Sequence, residues 1–259
     1  MSNQVKLPIS VIIITKNESD IIADTLNSVI DWVDEVVLVD SFSDDGTDMI
    51  AENIGAKVTQ QNWLGYGPQK RLAEDLAKNN WIFNIDADEL VTPELKQEII
   101  DIFVSPLQPD GFKVPIKDQF IGSDKLSSYT PYKPVRLYNK TIGRYRNSNV
   151  HDRVVMPESA NIKELKNCIA HRSFRSFRKR VEKMNDYSDA QVLDLISKKR
   201  RFSNTRIVLE PIISFVSCYL IRGYWRDGLY GYIYSLNYAY SRFLRAIKLF
   251  EAYKKITKN

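Results

Sequence analysis

Three apolar segments in the first 90 residues each end in a cluster of polar or acidic side chains. The segments cover residues 10–15, 35–39 and 81–85. Uninterrupted apolar runs of this length are typical of strands that are buried on both faces, as in a parallel sheet. Ligands of open α/β sheets bind outside the carboxyl ends of the strands. The sequence therefore predicts a cleft at that edge, lined by the clusters at residues 16–18, 40–41 and 86–89.

The acidic character of this predicted cleft limits what can bind in it. Asp40, Asp86, Asp88 and Glu89 would bring like charges together, which is unfavourable unless a cation joins them. A divalent metal that carries a nucleotide diphosphate would meet this need. Asp86 and Asp88 stand at positions i and i+2 of an extended segment, so both carboxylates project to one side. They could hold Mg²⁺ or Mn²⁺, with substrate phosphates and water completing the shell.

Strand and helix patterns alternate over about the first 105 residues. Apolar residues recur at helical spacing from Ile21 to Val33, and residues 47–54 predict a short helix that ends at Gly55. Residues 92–94, Thr-Pro-Glu, combine a cap, a first-turn proline and an early acid, which predicts another helix start. This alternation favours a doubly wound, mostly parallel α/β sheet.

The pattern changes after Pro106. Short strands are expected at residues 111–114, 135–138 and 153–156. From residue 173 the chain is predicted to be helical, with helices over residues 173–197, 205–223 and 228–254.

The net charge of +5 conceals a basic segment. Residues 166–206 contain 12 Lys and Arg against 4 Asp and Glu, a net +8, so the rest of the chain is near −3. Such a segment favours a polyanionic acceptor, an anionic membrane surface or nucleic acid. The nucleic-acid alternative leaves the acidic strand ends unexplained, because they would repel phosphate.

Several features predict a cytoplasmic protein that meets a membrane only at its surface. The N-terminus lacks the apolar core of a signal peptide, and Cys168 and Cys218 give no disulfide framework. The longest apolar stretch, residues 212–221, has ten residues, which is too short to span a bilayer. Residues 219–253 hold 8 of the 14 tyrosines together with Trp225 and interleaved basic residues. This composition suits a membrane interface, or else packing of the rings against the preceding α/β domain.

The loop after the second strand offers a nucleotide-binding candidate. Asp40 could accept hydrogen bonds from a base or ribose, and Gly46-Thr47 could form a helix N-terminus suited to phosphate. The alternative is a strand-to-helix loop in which Asp45 or Thr47 serves as the cap.

Residues 11–18, 39–47 and 86–89, in this order and spacing, resemble the glycosyltransferases of family 2. The resemblance implies an inverting, metal-dependent enzyme of the GT-A fold, the fold of nucleotide-diphospho-sugar transferases, with a helical C-terminal extension. Residues 62–70, 150–152 and 223–231 are similar to the subgroup that adds a β-1,4-linked glucose to the lipopolysaccharide core. On this basis we expect a catalytic domain over residues 1–200. Its nucleotide-sugar half covers about 1–105, its acceptor half about 106–200, and the helical extension 201–259.

The resemblance also implies roles for residues of the donor site. Thr15, Glu18 and Asp40 would contact uridine, and Asp86 and Asp88 would hold ribose and the metal-bound diphosphate. Further candidates for contact with phosphate or metal are the cationic side chains Lys70, Arg136 and His171.

Inverting transfer needs a general base that deprotonates the acceptor hydroxyl as it attacks the anomeric carbon. The subgroup has His followed by Glu or Asp at residues 151–152, so Asp152 is the predicted base. His151 would orient it or approach the metal. The alternative for Asp152 is an ordinary salt bridge with Arg153 or Arg146.

The sequence thus predicts transfer of a hexose, with glucose favoured, from a UDP-sugar to a lipopolysaccharide-core sugar. The expected location is the cytoplasmic side of the inner membrane, with peripheral attachment to its anionic surface and no nucleic-acid partner. Another envelope glycan or a lipid-linked acceptor is the alternative within the class. A nucleotidyltransferase would also have an acidic Mg²⁺ site, but residues 15–18 do not supply its Gly-rich basic loop. Outside enzymes, a nucleic-acid-binding protein using residues 166–206 is the alternative.

Overall fold

The computed structural model describes residues 6–105, 109–129, 132–148, 153–198 and 203–256. The chain divides into two compact units. Unit 1 comprises residues 1–117 and 130–172, and unit 2 comprises residues 118–129 and 173–259. Residues 173–198, which the sequence analysis assigned to the catalytic domain, thus group with the C-terminal helices.

Unit 1 alternates strands and helices through its first hundred residues and then consists of short strands. Its elements in chain order are β1 (Leu7–Thr15), α1 (Ile22–Asn27), β2 (Val33–Asp40), α2 (Thr47–Ile54), β3 (Lys57–Gln60), α3 (Tyr66–Leu76), β4 (Trp81–Asn84), β5 (Glu89–Val91), α4 (Pro93–Val104), β6 (Gly111–Lys113), β7 (Ile116–Asp118), β8 (Val135–Asn139), β9 (Arg144–Tyr145), β10 (Val154–Val155), β11 (Ile162–Glu164) and β12 (Ile169–His171).

The central sheet has seven strands in the order β11-β6-β8-β4-β1-β2-β3. Strands β3, β2, β1 and β4 are parallel, and β8 is antiparallel to β4 and β6. Thr15 pairs with Asp40 and Ile12 with Asn84, so the carboxyl ends of β1, β2 and β4 lie at one edge. The expected mostly parallel α/β sheet is confirmed.

Both faces of this sheet are covered by apolar side chains, as the uninterrupted runs predicted. In β1, Ile9, Val11 and Ile13 belong to one core cluster, whereas Ile12 belongs to a second. Successive residues of a strand point to opposite faces, so β1 contributes to both clusters. A strand in this position has no exposed face, which explains why its sequence does not alternate.

The local sequence signals predicted the start of one helix and the end of another correctly, but they predicted a third helix that is too long. Thr92 caps α4 by accepting a hydrogen bond from the Leu95 amide at 3.2 Å, and α2 ends at Gly55, whose φ is +107°. The helix expected from Ile21 towards Val33 ends at Asn27 instead. The apolar residues beyond it are buried in the turns that lead into β2, where tertiary packing rather than helical periodicity sets their spacing.

Unit 2 consists of a loop and three long helices. The helices are α5 (Phe177–Ser197), α6 (Asn204–Val216), which continues as a π-helical turn (Ser217–Ile221), and α7 (Leu229–Ile256), which follows a 3₁₀ turn (Tyr224–Asp227). The side chain of Asp227 is buried and accepts hydrogen bonds from the amide and hydroxyl of Ser128 at 3.1 and 2.7 Å. Aromatic rings from the loop, the turns and α7 form the core of this unit, namely Phe120, Tyr129, Tyr224, Tyr230, Tyr234 and Tyr238.

One expectation about unit 2 is wrong. The continuous helix of residues 204–221 is long and apolar enough to cross a membrane by length and composition, with a mean hydropathy of 1.3 over 18 residues. The uninterrupted apolar run of residues 212–221 is only the second part of this helix. The segment that passes this test extends back to residue 204 because the first turns of the helix carry only two charged residues, Arg206 and Glu210. Glu210 forms an ion pair with Arg245.

Candidate active site

The ends of β1 and β2 are joined through the side chain of Asp40. The Thr15 hydroxyl donates to one carboxylate oxygen of Asp40 at 2.8 Å, and the Ser43 amide donates to the other at 2.7 Å. Asp40 is fully buried. The structure thus brings together two of the three residues predicted to contact uridine, and it fixes the start of the loop that follows β2.

The loops after β1 and β2 are bound to each other. The Glu18 amide donates to the Thr47 hydroxyl at 2.8 Å, and that hydroxyl donates to Asp45. Burial alone would raise the pKa of Asp45, but hydrogen bonds from Thr47 and Ser19 outweigh it and lower the pKa to about 2. The backbone of Glu18, the third predicted uridine residue, is therefore fixed against the loop that follows β2.

Two residues other than glycine adopt positive φ in these same loops. Asn17 has φ +57° and Phe42 has φ +58°. The Lys16 ammonium donates to the carbonyl of Phe42 and links the two positions. Left-handed backbone is costly for such residues and tends to be retained at functional sites, so the loops that border the cleft have the geometry expected of a binding site.

The first aspartate of the Asp86-Ala87-Asp88 sequence lies between two cations. Lys70 Nζ of α3 is 2.9 Å from one carboxylate oxygen of Asp86, and Arg136 Nη2 of β8 is 2.9 Å from the other. The same guanidinium nitrogen is 2.9 Å from Glu89 Oε1. Lys70 and Glu89 are each 2 % exposed, whereas the side chain of Asp86 is 37 % exposed. The structure thus assembles a buried ion network with one accessible carboxylate.

The pKa values of the two carboxyl groups in this network are shifted in opposite directions. Burial would raise the pKa of Asp86, but the positive charges of Arg136 and Lys70 hold it well below its usual range. The pKa of Glu89 is raised, because burial and the nearby Asp86 charge outweigh the attraction of Arg136. Burial opposes the charge of Arg136, yet Asp86 and Glu89 raise its pKa well above the usual value. The two cations therefore favour the ionised form of Asp86.

His171 reaches the second aspartate through strand pairing. β12 pairs antiparallel with β5 and sets His171 opposite Glu89. His171 Nε2 lies 3.5 Å from Asp88 Oδ2, and the Arg172 amide donates to the Asp88 carbonyl at 2.8 Å. A residue distant in sequence is thus brought to the predicted metal site.

The side chains present fit a divalent metal in part. Within the described ranges, no group of three His, Cys, Asp or Glu side chains is arranged to hold a metal. Asp88 and His171 supply a carboxylate and an imidazole, and Mg²⁺ commonly takes only one or two protein carboxylates together with phosphates and water. Both oxygens of Asp86 face a cation, so the prediction that it ligates the metal directly stays a prediction.

The predicted base lies outside the described residues. His151 and Asp152 both fall in the undescribed segment 149–152. The chain just before it passes close to α3, since a Cβ atom on Gly67 would meet the Arg146 carbonyl at 2.3 Å. Gly67 therefore allows the backbone that leads to Asp152 to approach the helix that carries Lys70.

Sequence reasoning missed two polar residues beneath the site. Asn84 is buried at the end of β4, where it accepts hydrogen bonds from the Tyr145 hydroxyl at 2.5 Å and from Arg136. An asparagine inside an otherwise apolar strand was the available signal. Glu89 was read only as part of the acidic cluster, although its main partner is Arg136.

The ion network makes a prediction about stability. Replacing Lys70 with Met should lower the free energy of unfolding by about 1–3 kcal/mol, because Asp86 keeps Arg136 and partial exposure to water. Replacing Arg136 with Met should cost more, about 3–5 kcal/mol, because the buried Glu89 then loses its counterion. Urea denaturation of both variants and the wild type measures the difference. Equal losses would contradict the assignment of Arg136 as the shared counterion.

Comparison with known proteins identifies the family. Residues 10–183 match the family described as Glycosyl transferase family 2. The chain belongs to this family and is a glycosyltransferase. The expected GT-A-type α/β fold with a helical C-terminal region is accordingly confirmed.

Several relatives match nearly the whole chain, including the following two. An uncharacterised glycosyltransferase of Rickettsia felis is 40 % identical over 257 residues, which cover 95 % of this chain and 91 % of that protein. The lipopolysaccharide core biosynthesis glycosyltransferase LpsC of Rhizobium meliloti is 29 % identical, with 95 % and 93 % covered. Among solved structures, S. aureus TarS 1-349 in complex with UDP-GlcNAc gives a TM-score of 0.47 at 15 % identity, covering 97 % of this chain and 92 % of that one. That likeness is too distant to carry an argument about function.

Proposed function

We propose that this glycosyltransferase transfers a hexose, with glucose favoured, from a UDP-sugar to a sugar of the lipopolysaccharide core, with inversion at the anomeric carbon. The observation that supports the donor half is that Lys70 and Arg136 pair with Asp86, and His171 lies beside Asp88, at the carboxyl edge of the sheet. Carboxylate and imidazole suit a divalent cation, and the cations suit diphosphate.

Each group in the site has a distinct role in the proposed reaction. Asp88 and His171 would hold Mg²⁺ or Mn²⁺, which when bound supplies positive charge to the departing diphosphate. Thr15, Glu18 and Asp40 would position the uridine. Fixed positive charge at the place where negative charge develops is often the largest catalytic contribution.

Lys70 and Arg136 are candidates for that fixed charge. Both are held in place by Asp86, so their orientation does not depend on the ligand. In this proposal, Asp152 removes the proton of the acceptor hydroxyl while the hydroxyl oxygen bonds to the anomeric carbon. The bond from that carbon to the diphosphate oxygen breaks on the opposite face, and UDP leaves.

The acceptor assignment is supported by the relative LpsC, whose name places it in lipopolysaccharide core biosynthesis. The similarity of residues 62–70, 150–152 and 223–231 to the lipopolysaccharide glucosyltransferase subgroup agrees with it. Another envelope glycan or a lipid-linked acceptor remains the alternative within the same chemistry. We also propose that the protein works at the cytoplasmic face of the inner membrane, where the basic segment 166–206 complements anionic lipids.

A panel of nucleotide sugars tests the donor assignment without any acceptor. UDP-glucose, UDP-galactose, UDP-N-acetylglucosamine, GDP-mannose and dTDP-glucose are incubated with the protein, with Mg²⁺, Mn²⁺ or excess chelator, and the released nucleoside diphosphate is measured. We expect hydrolysis of UDP-glucose to be fastest and to require metal. Release from the GDP or dTDP sugars alone would contradict the assignment. Inactivity on every donor would likewise refute the proposed donor.

A further inference from the structure

The helix of residues 204–221 leaves most of its apolar surface uncovered. Only 6 % of its 18 residues are buried. Its exposed apolar side chains recur at helical spacing and form a stripe on one side of α6 and the π-helical turn, namely Val208, Leu209, Ile212, Ile213, Val216 and Leu220. A stripe of this size is unusual on a protein surface that faces only water.

A second exposed stripe runs along the neighbouring helix. It consists of Leu229, Tyr232, Leu236, Tyr240 and Phe243 of α7. The ring of Tyr232 contacts Phe215 of α6 and Tyr219 of the π-helical turn, with centroids 5.7 and 6.2 Å apart, so the apolar surface passes from one helix to the other. An apolar groove of about 670 Å³ extends this surface to Phe177 and Val181 of α5.

Each of these two helices contains a stretch without charged residues, and the length of the stretch can be compared with a bilayer. Residues 211–221 and residues 229–241 contain no Asp, Glu, Lys or Arg. At 1.5 Å per residue these stretches are about 16 and 20 Å long, shorter than the roughly 30 Å hydrocarbon core of a bilayer. The two helices are therefore better suited to lie within one leaflet, with their apolar sides towards the hydrocarbon core, than to span the bilayer completely.

Charges around the surface indicate what covers it. Lys183 is exposed on α5, which also lines the groove, and Arg226 is exposed in the turn before α7. Arg178 of α5 is exposed as well and pairs with Glu182 at 3.1 Å. Two copies of the chain meeting through this face would bring these like charges together. An anionic lipid surface would complement them, while aromatic side chains such as Tyr232 and Tyr240 suit the headgroup level.

We infer that the exposed face of α6 and α7, with the adjoining groove of α5, inserts into one leaflet of an anionic lipid bilayer. This goes beyond attachment by the basic segment alone, because insertion of apolar side chains survives high salt whereas electrostatic attraction is screened. The inference deepens the membrane location suggested under the proposed function, but it requires no particular donor or acceptor.

Flotation of the full-length protein with vesicles tests the inference. Vesicles of phosphatidylcholine alone and of phosphatidylcholine with 30 % phosphatidylglycerol are used at 0.1 and 1 M NaCl. The face variant is I213Q/L220Q, whose side chains are 62 % and 57 % exposed in the wild type. The matched control is V104Q, an 80 % exposed apolar residue on α4 of unit 1. A third protein, R178Q/K183Q, removes charge and leaves the apolar face intact.

Insertion predicts that these proteins differ in how much vesicle binding they retain at each salt concentration. The wild type and V104Q should remain vesicle-bound at 1 M NaCl, and I213Q/L220Q should lose at least tenfold in partitioning there. R178Q/K183Q should lose binding mainly to anionic vesicles at 0.1 M NaCl. Complete release of the wild type at 1 M NaCl would overturn insertion, as would wild-type partitioning by I213Q/L220Q.

A second copy of the chain is the competing occupant of this face, and sedimentation of the same proteins would reveal it. A wild type that sediments as a dimer without binding vesicles, and becomes monomeric as I213Q/L220Q, would assign the face to a second copy and overturn the inference. UDP-glucose hydrolysis without vesicles should be unchanged in I213Q/L220Q, which also shows that it is folded. A failed donor assay with intact vesicle binding would thus refute the proposed chemistry and leave the membrane inference standing.

Discussion

Replacing Asp88 with Ala should lower the rate of UDP release by at least about 100-fold, because the diphosphate loses a group that holds its charge partner. Excess chelator should have a comparable effect on the wild type. The melting temperature should change little, since Asp88 lies in a cluster where one fewer carboxylate reduces repulsion. Asp31, an exposed carboxylate that pairs with Lys96, provides the control Asp31→Ala, which should retain full activity.

The metal dependence of this variant distinguishes a ligand from a merely nearby residue. A ligand role predicts that Asp88→Ala requires a higher Mn²⁺ concentration for half-maximal activity, and that His171→Ala behaves in the same way. Full activity of the wild type in excess chelator would refute the metal assignment. An inactive Asp88→Ala enzyme with unchanged metal dependence would point instead to a direct contact with the donor.

Replacing Asp152 with Asn should lower transfer by on the order of 10²–10⁴-fold, the usual effect of losing a general base. The substitution preserves shape and removes basicity, so the affinity for UDP-glucose should stay nearly unchanged. Titration calorimetry with UDP and rate measurements with a core-oligosaccharide acceptor separate the two effects. Glu158→Gln, which changes an exposed carboxylate further along the chain, serves as the matched control.

The pH profile supplies a second readout for Asp152. Loss of a base should remove the acidic limb of the rate profile, whereas a structural salt bridge with Arg153 or Arg146 should leave the profile intact and lower the melting temperature. Normal turnover by Asp152→Asn, with another carboxylate variant inactive, would transfer the role to that carboxylate.

The donor edge of the sheet could be predicted because its signals are local. Continuous apolar runs identify buried parallel strands, and the topology of parallel sheets places their carboxyl ends together. Thr15, Asp40 and Asp86 therefore follow from three short segments read independently. Their pairing in the structure, with Thr15 opposite Asp40, is a consequence of strand register rather than of any longer-range pattern.

The counterions of the site could be named from the sequence but not assigned to partners. Lys70 reaches Asp86 from a helix, and Arg136 reaches it from an antiparallel strand. Nothing in the spacing of residues along the chain specifies which cation meets which carboxylate, because these contacts depend on the packing of separate elements. The link between Arg136 and Glu89 was missed for this reason.

The composition of the C-terminal helices could not predict which of their side chains are exposed. The sequence suggested that the tyrosine-rich tail either packs against the catalytic domain or suits a membrane interface. Within unit 2 the structure shows some of these rings packed inward and others exposed. Tyr224 is buried, and the partly buried Tyr234 and Tyr238 pack against the same aromatic core, whereas Tyr232 and Tyr240 are exposed. A helical sequence reveals its periodicity, but not which of its sides neighbouring helices will cover.

The pairing of β12 with β5 has a consequence for biogenesis. Asp88 leaves the ribosome early, whereas His171 is synthesised only after every other strand of unit 1. A nascent chain that stops short of β12 can build the central sheet and still lack one of the two side chains proposed to bind metal. Competence to capture a metal-bound nucleotide would thus arise late in translation, when the helices of unit 2 are the next segments to emerge.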